Sequence, residues 1–319
     1  MFASGALASW QGHLSLLRYH SVMEMRQLGR TGMDISVLGF GGAEIGFEQA
    51  SIDQTARLLG AALDAGLNVI DTAECYGSGE TASEQLIGQA VSHRRGEFFL
   101  FTKGGHRAGL EHEDWTPELI TAGIERSLKR LKTDYLDLVQ LHSCGLTILQ
   151  QGEVIAALQA ARDAGKTRFI GYSGENEAAE YAVSCGAFDT LQTSINVADQ
   201  RCLERWVKSA AEAGMGIIAK RPIANACWLW PTEDECPAYS KPYWQRLETL
   251  AYEALSIECA LRFTLTVPSV TTAIVGTKNP QRWPQNAALL QKGPLPAAEY
   301  EAIRTRWRAR AQDDWLGQI

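Results

Sequence analysis

Apolar positions along this chain recur in one three-part order. "LLGAALDAGLNVIDT" places apolar residues at helical spacing, then acid-Ala-Gly, then a β-branched run. "VIAALQAARDAGKTRFIGYS" and "RWVKSAAEAGMGIIAK" repeat it. Gly66, Gly165 and Gly214 stand where a left-handed residue ends a helix, and a short turn then feeds each strand. Helix, glycine, strand, repeated, predicts βα units around a parallel sheet.

Eight segments read as strands: "SVLGFGG", "NVIDT", "FFLFTK", "YLDLVQLH", "TRFIGYS", "DTLQTSIN", "GIIAKRP" and "TAIVGT". Helical patterns separate most of them. The clearest runs from Pro117 to Lys132, with proline in its first turn. Eight alternating units predict an α/β fold of the (β/α)8 TIM barrel type. A doubly wound sheet is the alternative, but it calls for a glycine fingerprint after an early strand. "GFGGAEIG" lacks that G-x-G-x-x-G order. Ahead of the first strand, "MRQLGRTGMDISVLG" reads as a β-hairpin capping the bottom of the barrel. After Pro296 comes an extra C-terminal helix, and then "DDWLGQI" as a loose end. Residues 1–24 read as a leader outside the barrel, which takes up residues 25–319.

Composition narrows the class. The chain has 319 residues, 45% hydrophobic and 21% charged, as in a soluble globular protein. A net charge of -7 argues against nucleic acid or an anionic membrane as partner. Seven cysteines without a C-x-x-C pair read as reduced thiols in a cytoplasmic setting. No apolar run is long enough to cross a bilayer.

In a barrel of this type, polar residues at the carboxyl ends of the strands converge on one mouth. Here these are Asp71, Lys103, His142, Ser173, Gln192, Asn196, Lys220 and Thr277. Tyr76 follows Asp71 in a glycine-bearing loop. A phenol with a pKa of about 10 gives up its proton poorly at neutral pH. An ammonium nearby favours the phenolate, and Lys103 is placed to supply it. Asp71 supplies the counter-charge that a buried lysine needs. His142 can orient a polar substrate atom through a hydrogen bond. Taken singly, each has a structural explanation: a turn cap, a packing tyrosine, a solvated lysine, a core histidine. Together they suit proton donation to a carbonyl becoming an alkoxide.

"DTAECYGSGE", "FTKGG", "SLKRLKTDYLDLVQLH" and "IVGTKNPQRWPQN" resemble the aldo-keto reductases, and the resemblance covers nearly everything from Met25 to the last helix. It implies a single (β/α)8 barrel that binds NADP(H), and less often NAD(H), without a Rossmann fold. It implies Asp71, Tyr76, Lys103 and His142 as the catalytic tetrad. Hydride would pass from nicotinamide to a carbonyl carbon, and Tyr76 would protonate the oxygen. By the same resemblance, Ser173 and Gln192 hold the carboxamide; where the family has an asparagine this chain has Gly174, so either one amide contact is missing or Asn176 replaces it. Lys220 occupies a position where the family often stacks an aromatic on the nicotinamide. Thr277, Lys278 and Arg282 would grip the adenosine 2′-phosphate at a helix start, and Asn286 the adenine, with Pro284 bearing on where Arg282 sits. The implied partner is a small carbonyl or alcohol, and a monomer is the family's common state. The alternative within the family is a cofactor-binding redox sensor or regulatory subunit with slow turnover.

Two other features invite separate readings. His106, Glu111, His112, Glu113 and Asp114 crowd the loop "GGHRAGLEHEDW", where a metal-assisted hydrolase is one reading and a solvated loop over the mouth is the other. No metal is expected. Trp115, Trp228, Trp230 and Trp315 suit either apolar pocket walls or burial within their own loops.

Overall fold

The computed structural model describes residues 23–318. The expected leader therefore lies outside the described residues, except for Met23 and Glu24. Met23 is buried in the main core, and the Glu24 carbonyl accepts from the Val37 N–H at 3.0 Å.

Two short antiparallel strands come first, β1 (Met25–Gln27) and β2 (Asp34–Ser36). Eight parallel strands then close into a barrel: β3 (Leu38–Gly41), β4 (Val69–Asp71), β5 (Phe99–Gly104), β6 (Leu136–His142), β7 (Thr167–Ser173), β8 (Thr190–Ser194), β9 (Gly216–Lys220) and β10 (Val270–Gly276). β10 pairs with β3 to complete the ring. The (β/α)8 barrel with its N-terminal hairpin is thus the architecture of the chain.

The helix Ile52–Asp64 shows how sequence makes each unit. Ser51 caps it by accepting from the Gln54 N–H at 3.1 Å. Thr55, Leu58, Leu59, Ala62 and Leu63 repeat every three or four residues and are all buried. Gly66, at φ +90°, then turns the chain into β4. Gly165 and Gly214 do the same ahead of β7 and β9, both at φ +74°. The helix Pro117–Leu131 opens on Thr116, whose hydroxyl accepts from the Leu119 N–H at 3.2 Å.

The hairpin plugs the amino-terminal end of the barrel. Leu28, Met33 and Ile35 pack with Val69, Phe101, Leu138, Ile218 and Ile274 in one apolar cluster. Side chains on a strand alternate between faces, so two residues on, the same inward faces carry Asp71, Lys103, Gln140, Lys220 and Gly276. Interior layers of this kind are the rule in such barrels. Here an apolar layer supports an ionic one. The helices Arg282–Leu290 and Ala297–Arg310 complete the chain. No described helix is long and apolar enough to cross a membrane.

Candidate active site

The ionic layer is built around one pair. Lys103 Nζ donates to Asp71 Oδ2 at 2.5 Å and to the Thr72 carbonyl at 3.0 Å. Both side chains are sealed off, Asp71 at 3% and Lys103 at 2% exposure. The second carboxylate oxygen of Asp71 accepts from Gln192 Nε2 at 3.0 Å and Gln140 Nε2 at 3.3 Å. Burial works against the ammonium, but Asp71 and then Tyr76 outweigh it, so Lys103 is held above its usual pKa. A pair so dry persists only with its remaining valences met, and the two glutamine amides meet them.

Tyr76 closes this pair from above. Its ring centroid lies 5.2 Å from Lys103 Nζ and 5.6 Å from the His142 ring, edge to face. Phe47 covers another side at 5.4 Å. The turn that carries Tyr76 is held by backbone bonds from Tyr76 to Ala73 and from Ser83 to Tyr76. Gly46 makes room for it, because a Cβ there would sit 2.3 Å from the Tyr76 carbonyl oxygen. Burial pushes the phenol above its ordinary value of 10, and Lys103 pulls it back only in part. The expected lowering by lysine is therefore present but outweighed. The phenol stays protonated, the form a proton donor needs.

His142 faces cations. Burial, followed by Lys103, Lys220, His106 and Arg221, holds its pKa well below 6.5, so the imidazole is neutral. Cys75 Sγ lies 3.4 Å from its Nδ1. His106 stacks edge-on to His142 at 5.5 Å and to Trp115 at 5.0 Å, which brings one residue of the crowded loop to the mouth. Among the described residues no three His, Cys, Asp or Glu side chains gather as a metal-binding group.

The remaining strand ends continue the ring. Ser173 Oγ donates to Gln192 Oε1 at 3.1 Å, so both are already committed to the Asp71 network. Lys220 pairs with Glu175 at 3.2 Å, and burial brings its pKa down to about 8. Asn176 does not face the ring. Its amide donates to the Gly317 carbonyl at 3.2 Å and accepts from the Gly317 N–H at 2.8 Å. The tail expected to be loose is therefore strapped across the ends of β7 to β9. Arg221 donates to the Gln318 carbonyl at 2.7 Å and Arg246 to the Leu316 carbonyl at 2.5 Å. Trp315 packs on Trp307 at 5.5 Å, buried in the C-terminal cluster. Trp230, by contrast, is half exposed, with Leu229, Tyr239 and Leu316 also open to solvent.

Past β10, Thr277 Oγ1 accepts from the Asn279 N–H at 3.1 Å, and Asn279 Oδ1 from the Gln281 N–H at 3.0 Å. Lys278 pairs with Glu48. Arg282 begins the helix and is exposed, with no carboxylate paired to it among the described residues. Pro284 falls in the first turn, where the missing N–H costs nothing. Asn286 is buried beside Trp283, whose ring packs on Phe40 at 5.6 Å.

This arrangement matches known proteins along most of its length. Residues 37–308 fit the profile of the Aldo/keto reductase family. The chain belongs to that family. It is 28% identical over 303 residues to the uncharacterized oxidoreductase YqkF of Bacillus subtilis, covering 89% of this chain and 96% of that one. It is 28% identical over 289 residues to L-galactose dehydrogenase of Arabidopsis thaliana, covering 83% and 88%. The holo form of aldo-keto reductase AKR11C1 from Bacillus halodurans superposes with a TM-score of 0.76 at 26% identity, covering 92% of this chain and 99% of that one.

Aldo-keto reductases use nicotinamide cofactors, and the polar atoms beyond β9 suit such a group. Among the described residues, Asn225 Nδ2 and Gln318 Oε1 are buried without a partner, one in the segment after β9 and one in the strapped tail, and Lys220 ends β9. Sequence reasoning missed Gln140, which lies two residues before His142 on the same strand face, so period-two alternation could have found it. It also missed Glu74, Glu175, Arg221 and Arg246. Glu74 clamps the loop after β5 by accepting from the Gly105 and His106 N–H groups at 2.7 and 3.0 Å. Nothing in the local pattern marks those four.

Proposed function

We propose that this chain reduces the carbonyl of an aldehyde or ketone with NADPH, with Tyr76 as the general acid. One observation carries the reading: a dry Lys103–Asp71 pair stands directly behind a protonated, half-buried phenol. The cofactor would supply the hydride. The chain's own residues handle the oxygen. His142, neutral, would donate to the carbonyl oxygen and aim it at Tyr76. Tyr76 would deliver its proton as negative charge develops, and Lys103 would stabilise the phenolate left behind. Asp71 keeps Lys103 charged where burial alone would neutralise it. Ser173, Gln192 and Lys220 would meet the nicotinamide end. Thr277, Lys278, Arg282 and Asn286 would meet the adenosine end.

The preference for the 2′-phosphate rests on Arg282, which is exposed and has no carboxylate paired to it among the described residues, four positions after Lys278. The substrate side is apolar. Phe47 at 62% and Leu229 at 66% exposure, with Trp230, open onto solvent as large hydrophobic surfaces on the loops that follow β3 and β9. Fluorescence titration with NADPH, followed by turnover on a panel of aliphatic and aromatic aldehydes, tests the reading. Binding together with steady oxidation of NADPH supports it. Tight binding with negligible turnover replaces it with a redox sensor.

A further inference from the structure

We propose that Cys75 is a positioning residue whose thiol donates to His142 Nδ1 and holds the imidazole in the Nε2–H tautomer. The inference rests on the reductase reading for its purpose, but not for its geometry.

A neutral imidazole carries one N–H, and the hydrogen bond at one nitrogen decides which nitrogen has it. Among the described residues, His142 makes one side-chain hydrogen bond, the 3.4 Å contact between its Nδ1 and Cys75 Sγ. Its other neighbours, Tyr76 and His106, meet it ring to ring. Two arrangements satisfy this contact. In one the thiol donates and Nε2 keeps the hydrogen. In the other Nδ1–H donates to sulfur and Nε2 is left as an acceptor, unable to donate to a carbonyl oxygen.

The surroundings favour the first. Burial, with Glu74 close by, pushes the Cys75 thiol up to about 11, so it retains its hydrogen at neutral pH. A neutral sulfur is a weak acceptor. The charged groups around the imidazole, Lys103, Lys220 and Arg221, are cations, and they disfavour a second proton on the ring. The mounting is rigid. Glu74 N–H donates to the Lys103 carbonyl at 3.1 Å and Tyr76 N–H to the Ala73 carbonyl at 3.2 Å. One turn thus presents the proton donor, Tyr76, and the residue that sets the orienting histidine, Cys75. The same raised thiol makes Cys75 a poor nucleophile, so a tuning role suits it better than a redox-sensing one.

The test is NMR of the histidine ring nitrogens, labelled in the full chain, with His142→Gln used to assign the His142 signal among six histidines. We expect the Nε2–H tautomer in the wild type, its loss to a mixture in Cys75→Ala, and its retention in Cys75→Ser. In turnover, Cys75→Ala should lower kcat by about five- to tenfold, the worth of one neutral hydrogen bond, without changing NADPH affinity. Cys75→Ser should recover most of the rate. An Nδ1–H tautomer in the wild type, or an unchanged His142 spectrum in Cys75→Ala, overturns the proposal. If no carbonyl is turned over by the wild type, the reductase reading fails while the tautomer measurement still decides this one.

Discussion

The floor of the barrel and the layer just above it use the same strands to opposite ends. Val69, Phe101, Leu138, Ile218 and Ile274 meet the hairpin residues Leu28, Met33 and Ile35 in a dry apolar plug. Two residues further along, Asp71, Lys103 and Gln140 form one network and Lys220 pairs with Glu175, so every charge depends on a neighbour. The floor stabilises through area removed from water, a term that tolerates small changes of shape. The upper layer has no such tolerance. A buried ammonium without its carboxylate is far costlier than a missing methyl group. The plug therefore bears the fold, and the layer above holds charge in place where water cannot reach it.

Breaking each layer separately shows the difference. Asp71→Ala leaves Lys103 buried and unpaired, and we expect a loss of about 3–5 kcal/mol in denaturant unfolding together with loss of turnover. Leu138→Ala opens a cavity in the plug at a cost of about 3 kcal/mol. Where that variant remains folded, its turnover should stay near the wild-type level. Equal effects of both changes on activity would erase the distinction between floor and site.

A smaller effect concerns the rim beyond β10. Arg282→Ala should weaken NADPH by about tenfold, as for one charge-assisted hydrogen bond, and leave NADH nearly unchanged. Equal losses for both would mean the 2′-phosphate is read elsewhere. The smallest effect is a pH slope. The unfolded chain takes up a proton on His142 near pH 6.5, whereas the folded chain keeps the ring neutral to well below that value. Stability should therefore fall as pH drops below about 6.5. His142→Gln should flatten that part of the curve, which urea titrations at several pH values can check.

How much of this could be read from sequence follows from the same contrast. The barrel was legible because each unit repeats helix, glycine and strand, and because Gly66, Gly165 and Gly214 do adopt the left-handed turn. The site was legible where an apolar run stops on an ionisable side chain, as at Asp71, Lys103 and His142. The C-terminal strap was not. Leu316, Gly317 and Gln318 are held through their backbone carbonyls, and a carbonyl is the same in every residue. Nor could the sequence show that Asn176 is bound to this strap instead of facing the ring. The contact between Cys75 and His142 joins the loop after β4 to the last residue of β6, 67 residues on, and no local pattern carries it. The direction of the Tyr76 shift also depended on depth of burial, which residue type does not specify.

Single-turnover oxidation of NADPH by a reactive aldehyde, comparing wild type with Tyr76→Phe, tests most directly whether the buried pair serves a proton donor. The account predicts a rate lower by about 10²–10⁴-fold, with NADPH affinity unchanged. A Tyr76→Phe variant that oxidises NADPH at the wild-type rate would contradict it.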